Sequence, residues 1–137
     1  MKVFFDTNVL VYLFDSGAPA KQRRARALLE KHTLAGETLL STQILQEFYV
    51  AVTRKLATPL DPEAAHAAVR EFAVMPIVRV DVPLILAATQ FSQQQQLSFW
   101  DALVVRAAIE GGAATLYSED LQHGQVFETL RIENPMR

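Results

Sequence analysis

The chain contains no cysteine. That excludes disulfides, thiolate metal sites and a cysteine nucleophile, and it fits a reducing compartment. Histidine is scarce: His32, His66 and His123 are far apart and show no metal-ligand spacing, which argues against zinc. No apolar run is long enough for a membrane span of about 20 residues. The opening Met1-Lys2-Val3-Phe4-Phe5 is broken early by Asp6 and Asn8, and Asp15 closes it. A secretory leader wants an unbroken apolar stretch of about 7–15 residues, so the expectation is a cytoplasmic protein with no membrane attachment. Charge of one sign is also missing. Fifteen acidic residues against thirteen basic ones leave a net charge of −2, which does not make a basic nucleic-acid surface. No glycine-rich phosphate loop follows the first apolar segment, and no repeat or linker divides the chain.

What is present reads as one globular domain over residues 1–137, half of them hydrophobic and a fifth charged. Short apolar segments alternate with helical patterns. Strands are expected at 2–6, 39–41, 77–80, 115–117 and 130–132. Helices are expected at 8–14, at 20–31 with Ala25, Leu28 and Leu29 on one face, and at 43–55, capped by Thr42. Asp61-Pro62 starts a further helix, since Asp caps and Pro suits the first turn. A helix capped by Asp81 runs to about residue 94, and the Gln93–Gln96 run ends it as exposed polar surface. Ser98 opens the last helix, which stops at Gly111-Gly112. Strands separated by helices need crossover connections. The fold class is therefore α/β: a three-layer α/β/α arrangement around a mainly parallel sheet of about four to five short strands. In such sheets, sites form beyond the carboxyl ends of the strands.

Four acids stand out against that rule. Asp6 directly follows Val3-Phe4-Phe5 at a strand's carboxyl end, where it is a site residue or a helix cap. Asp101 has Leu97, Val104, Val105 and Ala108 as helical neighbours, in a segment otherwise nearly all apolar. A buried carboxylate without a partner protonates or meets a cation. The competing reading is a capping box, Ser98-x-x-Asp101. Glu47 lies at the edge of the apolar arc of its helix, where it is a site residue or a boundary acid. Asp120 follows the strand at 115–117 and is a site residue or a loop acid, with Glu119 beside it as a competitor. Four carboxylates meeting at one sheet edge would repel one another unless they bind protons or hard divalent cations. Lys21, Arg23, Arg24 and Arg26, with Arg54-Lys55, are candidates for phosphate contact or a solvated face. Tyr12, Phe14 and Trp100 either stack on bases or pack.

At these residues the sequence resembles the PIN-domain family. Val3-Phe4-Phe5-Asp6-Thr7-Asn8-Val9-Leu10 is similar to the family's opening strand followed by Asp-x-Asn. The 43–48 stretch resembles the segment carrying its glutamate. Phe99-Trp100-Asp101-Ala102-Leu103 and Leu116-Tyr117-Ser118-Glu119-Asp120-Leu121 resemble its third and fourth motifs. Size and the Ser118-Glu119-Asp120-Leu121 run look like the VapC-type toxins of bacterial toxin–antitoxin pairs. The resemblance implies an endoribonuclease dependent on Mg²⁺ or Mn²⁺, acting on RNA as a homodimer and blocked by an antitoxin protein. Carried over by position, Asp6, Glu47, Asp101 and Asp120 become the catalytic acids, with Asp6, Asp101 and Asp120 as metal ligands. Thr7 and Asn8 would order the end of the first strand, Ser118 would hydrogen-bond near Asp120, and Glu119 would help or substitute. Three alternatives stay open at this level. One is a haloacid-dehalogenase-type phosphatase, which would want an acid where Asn8 stands. The others are a nucleotide-binding module and a non-catalytic protein whose acids are caps.

Overall fold

The computed structural model describes residues 1–137. Its elements in chain order are β1 (Lys2–Phe5), α1 (Thr7–Tyr12), α2 (Pro19–Leu34), β2 (Thr38–Ser41), α3 (Thr42–Arg54) and α4 (Pro62–Phe72). β3 (Ile77–Val78), α5 (Val82–Gln95), α6 (Phe99–Glu110), β4 (Ala113–Tyr117), β5 (Val126–Phe127) and β6 (Leu130–Glu133) complete the chain. The sheet has six strands in the order β3-β2-β1-β4-β6-β5, and the α/β/α architecture matches the expectation. Neighbours are parallel except β5 and β6, which pair antiparallel.

The sequence pattern misses β5. Two residues are too short a run for a period-2 signal, and Val126–Phe127 becomes a strand only by pairing with Leu130–Arg131. The central strand is fixed by composition. β1 lies between β2 and β4, with Phe4 and Phe5 wholly buried, so it carries a continuous apolar run rather than an alternating one. One contiguous core of 29 buried apolar side chains joins the sheet to its helices. α6 contributes most heavily, burying Ala102, Leu103, Val104, Val105, Ala107 and Ala108. No helix is long and apolar enough to cross a membrane.

The caps explain the helix starts. Asp61 accepts from Ala64 N, Asp81 from Leu84 N and Ser98 from Asp101 N. α3 departs from expectation: Ser41, not Thr42, is its cap. Ser41 is still extended at φ −135° and takes Ile44 N, whereas Thr42 is already helical and its hydroxyl accepts from Val80 N. α6 stops as expected. Gly112 adopts φ +82°, which favours glycine, and Gly111 packs where a Cβ would run into Leu39 Cδ2 and Val78 Cγ2.

Candidate active site

The parallel strands β1, β2 and β4 end on the same edge, and the chain leaves each of them carrying polar side chains. β1 delivers Asp6 and Thr7. β2 runs through Ser41 into α3, which carries Gln43 and Glu47. β4 delivers Ser118, Glu119 and Asp120. The ladder extends just past the strands: Asp6 N donates to the Tyr117 carbonyl and Ser118 N to that of Glu133, both at 2.9 Å. Asp6 and Ser118 are thereby side by side.

Asp6 is only 5 % exposed, yet it carries a carboxylate. Its Oδ1 accepts from Thr7 N at 2.8 Å and its Oδ2 from the Ser118 hydroxyl at 2.7 Å. Burial pushes its pKa from 3.8 to about 6; the bonds from Ser118 and Thr7 oppose the rise, and the charges of Asp120 and Glu47 add to it. Asp6 is thus at once the cap of α1 and a perturbed acid. Ser118 is fully buried, and besides donating to Asp6 its oxygen accepts from Asp120 N at 3.2 Å and Leu121 N at 3.4 Å. Thr7 Oγ1 donates to Glu47 Oε1 at 2.7 Å, and Gln43 Nε2 donates to Glu47 Oε2 at 3.1 Å. A continuous hydrogen-bonded chain therefore runs from Gln43 through Glu47, Thr7, Asp6 and Ser118 to Asp120.

Above this chain opens a cleft of about 710 Å³. Thr7, Asn8, Glu47 and Asp120 line its acidic end, Val11, Val50 and Leu56 give it an apolar wall, and Tyr12, Trp100 and Lys55 also face it. Trp100 is 61 % exposed. Asp120 is exposed and Asp101 partly buried, and neither carboxylate accepts a hydrogen bond from the chain. Asp101 N donates to Ser98 Oγ at 3.1 Å, so the capping half of its expected role is real. The carboxylate bond back to Ser98 N, which would complete a capping box, is not made.

Not every expectation survives. Asp6, Glu47 and Asp120 are electrostatic neighbours, but no three Asp, Glu or His side chains stand close enough to share one ion. Asn8 orders nothing by hydrogen bonding: its amide oxygen and nitrogen are both buried without a partner. Glu119 has partners of its own, unlike Asp120. It is held by Lys21 Nζ at 2.8 Å and by the Tyr12 hydroxyl. Burial pushes the Glu119 carboxyl up, but the bonds from Lys21 and Tyr12 outweigh it and leave it below its ordinary value. The same contacts raise Lys21, so this cation is committed to Glu119 and Tyr12. Of the basic candidates only Lys55 lines the cleft. Gln43 went unremarked in the sequence, although its spacing of four from Glu47 on a helix is a readable signal.

A model of the PIN domain matches residues 3–126. The chain belongs to the PIN-domain family. Solved structures agree on the fold. This PIN domain is similar to the toxin VapC20 of Mycobacterium tuberculosis, with 23 % identity, a TM-score of 0.67, and 87 % of this chain and 90 % of that chain covered. It is similar to a chain of a toxin–antitoxin complex from Klebsiella pneumoniae at 16 % identity and TM-score 0.72, covering 98 % of both chains. A DNA-bound VapBC structure from Salmonella typhimurium gives 18 % identity and TM-score 0.69, again over 98 % of both chains. No curated protein sequence matches the chain.

Proposed function

We propose that this PIN domain is an endoribonuclease that depends on Mg²⁺ or Mn²⁺ and serves as the toxin of a toxin–antitoxin pair. The observation that carries the reading is Asp6. A carboxylate raised to about 6, at the carboxyl end of the central strand and wired to Glu47 and Asp120, is an investment no cap requires. The acidic end of the cleft offers only oxygen donors, which suit a hard divalent cation. The similar toxin VapC20 is described as cleaving the sarcin–ricin loop, and two further similar structures are toxin–antitoxin assemblies.

In this reading, Asp6, Asp101 and Asp120 would move together to hold the cation, whose charge would offset their mutual repulsion. When bound, such a cation lowers the pKa of a water and offsets phosphoryl charge. Ser118 fixes the direction of the Asp6 carboxylate, and the same hydroxyl holds the Asp120 backbone. Glu47, with both oxygens anchored, orients the attacking water and takes its proton. Water adds to phosphorus, the P–O bond to the leaving ribose oxygen breaks, and that oxygen takes a proton from solvent. Lys55 receives a neighbouring phosphate, and the apolar wall takes a base. The protein acts in the cytoplasm, its partner is an antitoxin protein, and it works as a homodimer. Exposed Tyr49 on α3 and Val82 and Leu86 on α5 supply apolar surface for association. Light scattering on the purified protein tests the dimer.

The deciding experiment is cleavage of mixed cellular RNA with Mn²⁺ or with EDTA, beside Asp101→Asn. Metal-dependent cutting that the variant loses supports the reading. A folded protein that cuts no RNA but hydrolyses a small phosphate ester would replace it with the phosphatase.

A further inference from the structure

Gln43 occupies the first turn of α3 and is 3 % exposed. It donates from Nε2 to Glu47 Oε2 at 3.1 Å and to the backbone carbonyl of Trp100, in the first turn of α6, at 3.2 Å. Its Oε1 is buried and meets no donor. Turning the amide over would set Oε1 against a carboxylate and a carbonyl, two acceptors, so the orientation is fixed by its neighbours. An apolar side chain of similar length would remove the unpaired acceptor, together with the two bonds that Nε2 makes. The amide is retained at a cost to stability, and what it gains is a tie between two helices that each carry an acid of the site.

We propose that Gln43 is a positioning residue that sets the spacing and orientation of Glu47 relative to Asp101; the proposal rests on the nuclease reading above. Glu47 is gripped from two elements, its Oε1 by Thr7 and its Oε2 by Gln43, so its carboxylate plane cannot turn freely. Asp101 has no side-chain bond of its own. Its place is set by its backbone, which Ser98 holds at the amide and Gln43 holds one residue earlier at the Trp100 carbonyl. Gln43 touches neither water nor phosphate in this scheme and acts through the two acids.

The test is Gln43→Met, with Gln43→Leu as a second variant should the first fold poorly. Both remove the donors and the unpaired acceptor together. The melting temperature is expected to hold or rise, while kcat for RNA cleavage falls at least ~10-fold and KM stays within about two-fold. A purely structural glutamine would instead lose stability and kcat together, and that result overturns the proposal. So does an unchanged kcat. Trp100 is the only tryptophan, so its fluorescence gives a readout independent of activity. Freed from Gln43, Trp100 is expected to show lower anisotropy and easier quenching by acrylamide. If the wild type cuts no RNA, the nuclease reading falls by itself, and unchanged Trp100 anisotropy would overturn the tie as well.

Discussion

Replacing Asp6 with asparagine should make the protein more stable at pH 8 even as it removes an acid from the site. The pKa of Asp6 is about 6 in the fold against 3.8 when unperturbed. That gap of about two units corresponds to about 3 kcal/mol by which folding disfavours the ionised form. Because the folded value is the higher one, the protonated group's contribution is fully present below pH 3.8 and is lost as pH rises through 6. Asparagine carries no charge and keeps an acceptor for Thr7 N. It gives up the strong acceptor for Ser118, whose oxygen already takes two backbone donors, at about 1 kcal/mol. The net gain is about 2 kcal/mol, or about 6 °C in melting temperature at this chain length. Paired thermal melts by circular dichroism, in EDTA at pH 8 and pH 4, read it directly. The variant should melt higher at pH 8, and the gap should close at pH 4. A variant that melts at or below the wild type at pH 8 would show that the bonds to Thr7 and Ser118 outweigh the burial of the charge, and the account of Asp6 would be wrong.

Three other outcomes follow from the same geometry. Glu47→Gln keeps both anchors within reach but removes the proton acceptor, so kcat for RNA cleavage should drop by about 100-fold or more with melting temperature little changed. Glu119→Gln loosens Lys21 and Tyr12 at the protein surface; stability should change by less than about 1 kcal/mol and cleavage should persist, whereas a loss as deep as that of Asp120→Asn would return Glu119 to the catalytic set. Gly111→Ala forces a methyl against Leu39 and Val78 and should cost about 1–3 kcal/mol in urea unfolding, with the cleavage rate per folded molecule preserved.

Much of the fold is legible in the residues because local chemistry and global position agree. Val3-Phe4-Phe5 reads as a buried central strand and is one. Asp61-Pro62 and Asp81 read as helix starts and are, and the glutamine run ends α5 with Gln96 in a left-handed cap. Where the reading slipped, the deciding contact lay elsewhere in the chain. Thr42 read as the cap of α3, but its hydroxyl takes Val80 N and Ser41 caps the helix instead. β5 exists by virtue of β6. The site shows the same division. That Asp6, Glu47 and Asp120 lie near one edge follows from strand ends and helix starts. The unequal surroundings of the acids do not: Asp6 is buried, Glu47 is gripped twice, and Asp101 and Asp120 are without partners of their own. The fate of Glu119 turned on Lys21, 98 residues away, which no spacing rule connects to it.

The strand order has a consequence in time. β1 is made first, but Asp6 waits for its two flanking neighbours. β2 brings α3 and Glu47 some forty residues later, and β4 brings Ser118 only 112 residues after Asp6. Until then the buried carboxylate has neither the hydroxyl that steadies it nor the second wall that encloses it. A ribosome releasing a truncated product, stopped anywhere before β4, would release a chain in which this constellation has never been assembled. The order of synthesis therefore completes the site only once β4 has been made.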